Sequence, residues 1–412
     1  MKKLISAFLI AALAISAHAA DWPQWRGSNR LGAADETIKP EWPTEGPKEL
    51  WRATLGAGYS APAVVGEKLY ITGNLKINDE LRGHLFAIDT ATGKELWRTD
   101  YGQEWSKNYP STRTTPTVVG DKLYFISGSM DVLCLSTEGK IIWRVNMAER
   151  FQGKPPMWGY AESPLIYDNK IICHPGGPDA TVAALDINGG NTLWTAKLAT
   201  NNTPDGSTYC SPILLTLHGT RQVVTHTNNH FIGLNADTGQ LLWQTPYKNF
   251  RGIHPNTPQP IGNDTIAISS GYEFETRLYR INKNTDGSFA AEQLWTTKDA
   301  DAQVHGIVLH NNVLFSSATK GGMSAIDPKT GQTLYRVKEV EKPSLVKSAN
   351  RLIAYSEKNG NVYLLDATPE KYTIQGQFPI TFGELQHWAH PVIANGKLYI
   401  RHGTVLAAYN VK

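Results

Sequence analysis

The sequence has little charge and little cysteine. Charged residues make up 19% of its 412 positions, and 40 basic residues stand against 37 acidic ones. No excess of one sign is present to attract nucleic acid or an acidic membrane surface. The three cysteines, Cys134, Cys173 and Cys210, form no C-x-x-C, no C-x-x-C-H and no adjacent pair, so the usual local signatures of redox and haem chemistry are missing. H-E-x-x-H, G-x-S-x-G and Walker loops are absent too. One long apolar run exists, Leu4 to Ile15, and it is too short to span a bilayer comfortably, so no transmembrane segment is expected.

What is present points to β structure. Aromatics reach 10%, with Gly 36, Pro 23 and Trp 12, a composition of many turns and a large buried aromatic inventory. Met1-Lys2-Lys3, the apolar run and Ala17-His18-Ala19 read as a signal peptide over residues 1–19, cleaved after Ala19. An exported protein, periplasmic or secreted, is expected. Cleavage takes away two of the three net positive charges. Cys134 reads as a small buried hydrophobe. Cys173 and Cys210 either pair or stay as unpaired thiols.

The chain repeats itself. "AIDTATGKELW" ends at Trp97, "CLSTEGKIIW" at Trp143, "ALDINGGNTLW" at Trp194 and "GLNADTGQLLW" at Trp243. The same aromatic position holds Trp51, Trp295 and Tyr335, at spacings between about 40 and 52 residues. A second phrase, such as "SAPAVVGEKLYITG", keeps the same period, and its proline recurs at Pro62, Pro116, Pro164, Pro212, Pro258 and Pro391. Each unit resolves into four short strands. In the first complete unit these are Ala63 to Val65, Lys68 to Thr72, His84 to Asp89 and Glu95 to Thr99. The Asp-x-x-Thr-Gly turn supplies a side chain that bonds its own backbone and a glycine for positive φ. Leu85 and Ala87 alternate with Phe86 and Ile88, the pattern of a strand with two distinct faces. Four strands cannot cover both faces alone; stacked around an axis, each sheet covers the next.

Third-strand phrases occur eight times, and the last, "GTVLAAYNVK", has no fourth strand after it. "KELWR", Lys48 to Arg52, is a fourth strand with no third before it. The ring is expected to close by pairing these two, which removes exposed edges. The seventh unit, "LLDATPEKYTIQGQF", lacks the Gly and the Trp, and Phe378 is the stand-in.

These phrases resemble the tryptophan-docking motif of the PQQ-like eight-bladed β-propellers, a group that includes the pyrroloquinoline quinone (PQQ) dehydrogenases and the BamB-like outer-membrane assembly factors. The likeness covers Lys48 to Lys412, and "DWPQWRG" is similar to the start of many exported members. The expected fold is all-β, an eight-bladed propeller of four-stranded antiparallel blades. The aromatic and Pro-rich segment 20–47 is expected to pack across its side or one end. The chain is expected to be a monomer. A shared fold says little about activity.

In such a fold the segments entering each first strand gather at one end. Here they carry Tyr59, Arg113, Tyr160, Glu162, Tyr209, His254, Asn256, Asp301, His305, Lys347, His387, Trp388 and His390. A concave polar mouth of this kind is the default binding site. Two functions follow from the resemblance. One is a non-catalytic module that binds an envelope protein or a small-molecule ligand through this funnel and its loops. The other is a PQQ- and calcium-dependent oxidoreductase. The resemblance then implies Glu162 and Asn256 as calcium ligands, Asp301 as base, Arg113 as a quinone contact and Trp388 as the floor, with Tyr160, His305 and Lys347 around the cofactor. The family's adjacent Cys pair is absent, and the chain lacks the long insertions of the full enzymes. His305, His387 and His390 offer imidazoles for a transition metal, though the spacing of the last two does not put them on one face of a strand.

Overall fold

The computed structural model describes residues 21–200 and 203–412. The apolar run and its cleavage site therefore lie outside the described residues. Among those described, no helix is long and apolar enough to cross a membrane.

Eight four-stranded antiparallel sheets follow one another along the chain, with a two-stranded ribbon between the third and fourth. Blade 1 holds Ala63–Val65, Lys68–Ile77, Glu80–Asp89 and Glu95–Gln103. Its middle hairpin is longer than the sequence suggests. Asn78 and Asp79 both take positive φ, which makes a two-residue turn matched to strand twist, so pairing continues to Ile77 and Glu80. Blade 8 combines Val392–Ala394, Lys397–His402 and Val405–Asn410 with Glu49–Thr54 from the other end of the chain. Trp51 stands opposite Ala408.

Seven buried apolar clusters join neighbouring sheets. Leu85 and Ala87 pack with Leu123 and Phe125 of blade 2. Phe86 and Ile88, on the other face, pack with Tyr399 and Ala407 of blade 8. The remaining clusters carry the contact from blade to blade until the ring closes.

The recurring indole works as a clasp. The Trp51 N–H donates to Thr90 O of the next blade at 2.9 Å, Trp97 to Thr137 O at 3.1 Å and Trp295 to Pro328 O at 3.0 Å. A bulge puts one extra residue just before each of these aromatics, Leu96 ahead of Trp97 for example; it turns the strand so that the indole faces the neighbour. Trp194 packs on Gly239 of the next blade but its indole N–H has no partner, and Trp243 departs further from the rule. Its N–H donates to Gln222 Oε1 of its own blade, at 2.7 Å, because the lengthened hairpin Thr276–Lys283 with Phe289–Thr297 carries the next blade's turn further out.

Blade 7 has no indole. Its register places Gly376 there, and Trp42 of the N-terminal segment lies over that glycine, its backbone N–H bonded to Gln375 O at 2.9 Å. Phe378 is buried against Gly46 and meets Trp42 edge-on at 5.5 Å.

The three cysteines are buried and unpaired, so the Cys173–Cys210 alternative gives way to separate thiols. Cys210 Sγ points at Ser211 O and Asn256 O, and Cys173 Sγ at Ala183 O.

Candidate functional site: a plugged axis beneath an aromatic mouth

Inner strands leave an unpaired edge toward the axis, and the N-terminal segment takes it. Trp22 bridges to Val64 of blade 1, and Val118 N–H of blade 2 donates to Pro23 O at 2.8 Å. Arg30 donates to Ser163 O and Pro164 O of blade 3, Trp25 to Thr257 Oγ1 of blade 5 and Arg26 to Ile307 O of blade 6. Ala34 and Lys347 of blade 7 are bonded at 2.9 Å. A short stretch in contact with six inner edges lies on the axis. It fills the channel and leaves at the end opposite the mouth, where Lys39 N–H reaches Val411 O at 2.8 Å.

Arg26 and Arg30 are fully buried there, and burial lowers both guanidinium pKa values to about 10. Backbone carbonyls solvate them, and Glu162 adds attraction for Arg30. A buried charge without such partners would cost several kcal/mol, about 3–5.

The sequence-predicted residues fall around this plug, and most are already engaged. Glu162 is fully buried. Its Oε2 accepts from Tyr160 OH at 2.5 Å and lies 2.7 Å from His174 Nδ1. Burial, then the Glu162 charge, push the Tyr160 hydroxyl pKa well up. Asn256 is saturated: Oδ1 accepts from Gly306 N–H at 2.9 Å, while Nδ2 donates to Ser269 O and Ala302 O. The Asp301 carboxylate accepts from Glu273 N–H at 2.8 Å and Thr319 N–H at 2.5 Å; burial raises its pKa. Arg113 donates to Asn108 O and Tyr109 O, its pKa lowered by burial against the pull of Glu104.

His305 Nε2 sits 2.9 Å from Glu357 Oε2, off the line of a good hydrogen bond. Burial pushes the Glu357 pKa up, but His305 and Trp388 outweigh it and hold the carboxyl down at about 2. Trp388 lies between Tyr59 and Tyr109, at 4.9 and 5.1 Å. His390 and His387 are held neutral by burial, with pKa values near 3 and 4. Nε2 of His390 is 3.0 Å from Val304 O, and Nδ1 of His387 meets Tyr355 OH at 2.5 Å.

Lys347 is a correction. The inner strand of blade 7 is Pro343–Lys347, so Lys347 stands at its far end, away from the mouth. Proline falls directly on the strand start there, whereas Pro62 precedes the strand of blade 1, so the segment that enters blade 7 at the mouth ends at Lys342.

The calcium and quinone set that the resemblance implies does not fit. Asn256 and Asp301 spend their oxygens on backbone N–H groups, Arg113 faces carbonyls, and a guanidinium stands beside Glu162. Among the described residues no three His, Cys, Asp or Glu side chains gather as a metal site.

Sequence reasoning missed the mouth's outer ring. Tyr109, Met157 and Phe250 are exposed, Phe250 by 74%. Phe250 meets Tyr272 at 5.8 Å, and Trp158 meets Tyr272 at 6.3 Å and Tyr209 at 6.1 Å. Arg251 lies over both Phe250 and Tyr272, at 5.0 and 5.7 Å. The available signal was an aromatic beside a cation in two inter-blade loops, "KPPMWGY" and "KNFRG". A cleft of about 510 Å³ lined by Lys154, Pro155, Pro156, Pro178, Ser207 and Asn228 adjoins this ring.

Residues 81–337 match the family described as outer membrane protein assembly factor BamB. The chain belongs to this family. The BamB of Burkholderia pseudomallei is 24% identical over 300 residues, covering 70% of this chain and 68% of its own length. That of Yersinia pestis is 22% identical over 370 residues, covering 86% and 76%. Among solved structures, BamB from Moraxella catarrhalis superposes with a TM-score of 0.61 at 14% identity, over 88% of this chain and 99% of that one. Quinohemoprotein alcohol dehydrogenase from Comamonas testosteroni gives 0.69 at 14% identity, over 94% and 80%. At such identities the superpositions speak for the propeller alone.

Proposed function

We propose that this chain is an exported, non-catalytic propeller that binds a protein partner in outer-membrane assembly through its mouth face. The reading rests on the exposed ring of Tyr109, Met157, Phe250 and Arg251 at the end where the inter-blade segments converge. Aromatic residues, Met and Arg are the side chains enriched at protein interfaces. A small ligand entering along the axis is disfavoured, because the N-terminal segment already occupies it. The names of the sequence relatives supply the assembly context. The quinone reading has no donor set free to carry it.

The test is crosslinking in intact cells from a photoreactive residue at position 250, with the product identified by mass spectrometry. A product containing an outer-membrane assembly protein is expected, and it should be lost when Met157→Ala and Arg251→Ala are added. Products unchanged by those substitutions would remove the mouth face from the proposal. A rise in melting temperature with PQQ and calcium added to purified protein would return the enzyme to consideration; none is expected.

A further inference from the structure

The mouth is not uniform. Along the arc from blade 2 to blade 5, exposed Lys107, Lys154, Lys248 and Arg251 alternate with Tyr109, Met157, Trp158 and Phe250. Of the exposed carboxylates on this stretch, Glu273 is paired with Lys320 at 3.6 Å and Asp179, beside Pro178, with Lys197 at 2.7 Å, while Glu149 lies just ahead of Lys154 on the helix Met147–Phe151. Glu104, also nearby, is buried, where its oxygens accept from Tyr101 OH at 2.7 Å and Trp105 N–H at 2.8 Å. Among the described residues Lys107, Lys154, Lys248 and Arg251 form no ion pair, so unpaired cations outnumber unpaired carboxylates beside the aromatic faces and the cleft.

Resting on the reading of the mouth as a partner-binding face, we propose that the arc docks an extended, acidic segment of a partner protein that also carries aromatic residues. The cleft is lined by Pro155, Pro156, Pro178, Gly176 and Gly206, and the prolines and glycines leave it few side chains of its own to fill it, which suits an extended chain. Acidic side chains of the segment would reach Lys154 on one side and Lys248 and Arg251 on the other. Its aromatic groups would lie against Trp158 and Phe250. Arg251 is held over two rings before any partner arrives, so less side-chain freedom is lost on docking.

Fluorescence anisotropy on the full chain tests this, using a short fluorescein-labelled peptide that alternates Glu with Phe and Pro. The acidic peptide is expected to bind at least about tenfold more tightly than its Gln counterpart, and to weaken as salt is added. Lys154→Glu with Arg251→Glu should reduce affinity by at least about tenfold. Lys140→Glu, in an exposed turn at the opposite end, should leave it unchanged. Equal binding of acidic and Gln peptides overturns the inference, as does indifference to the charge reversals. So does an oligonucleotide or a phosphatidylglycerol vesicle binding as tightly through the same two cations.

The cellular crosslink separates this idea from the one beneath it. If the Lys154→Glu, Arg251→Glu protein still captures the assembly partner from position 250 while Tyr109→Ala with Met157→Ala does not, the mouth face stands and the acidic segment falls. Capture by both variants removes the mouth face as well.

Discussion

His226 has no hydrogen-bond partner at either ring nitrogen, yet it is completely buried. It stacks on His254 at 5.3 Å and lies against Phe231 and Tyr247. Burial, followed by repulsion from His254 and His174, lowers its pKa well below the usual value. Burial holds His254, His310 and His387 at about 4 and His390 at about 3. In the unfolded chain these rings titrate near about 6.5. As pH falls through that value the unfolded chain takes up protons that the native fold refuses, so stability drops with pH until about 4. Glu357, held at about 2, extends the loss below about 4.3, the ordinary Glu value. Asp301 and Glu104, with raised pKa values, act the other way at pH above their unfolded values of about 3.9 and 4.3, where they offset part of the histidine loss. The melting temperature should therefore fall steadily from pH 7 to pH 5, and His254→Gln should flatten the slope. A melting temperature unchanged over that range would contradict this account.

At the scale of the element, the turn and the indole form a single unit. Gly331 takes a φ of +74°, and a Cβ there would meet the Trp295 ring at 2.7 Å. Trp295→Ala should cost about 3–4 kcal/mol, and Trp295→Phe about 1 kcal/mol more than the lost contact area alone, through the N–H to Pro328 O. Urea denaturation followed by circular dichroism measures both; equal midpoints for the Ala variant and the parent would refute the clasp. This unit is why the fold was legible. A glycine, an Asp or Asn turn and an indole at fixed offsets are local demands of the backbone, so they recur in the sequence. The mouth was less legible because burial and hydrogen bonding are not local. Glu162, Asn256 and Asp301 look like free ligands in a string of letters. Their partners, His174, Gly306, Glu273 and Thr319, lie 12, 50, 28 and 18 residues away. Nothing in the string says that Arg26 and Arg30 occupy the axis.

At the scale of the whole molecule, a ring closed by two chain ends has one weak seam. Apart from blade 5, whose longer hairpin carries its turn out of reach, the other blades offer the turn between their third and fourth strands as a surface for the preceding blade. In blade 8 those strands come from opposite ends of the chain, so that turn does not exist. Blade 7 accordingly has Gly376 where an indole would have had nothing to grip. The N-terminal segment repairs the gap. Gly46 takes the place of the turn glycine against Phe378, Trp42 covers Gly376, and Arg351 and Asn350 hold Pro40 O and Ile38 O at 3.0 Å. The segment that blocks the axis is therefore also the lock on the ring. Trp42→Ala should cost about 3 kcal/mol, and the loss should be local. Amide hydrogen exchange should quicken in Tyr372–Pro379, Val405–Asn410 and Glu49–Thr54, while Lys170–Cys173 and Thr220–His226 across the ring keep their protection. A synthetic peptide of residues 21–47, added to a chain that lacks them, should restore that protection. Exchange that quickened evenly around the ring would mean the seam is no weaker than any other blade contact.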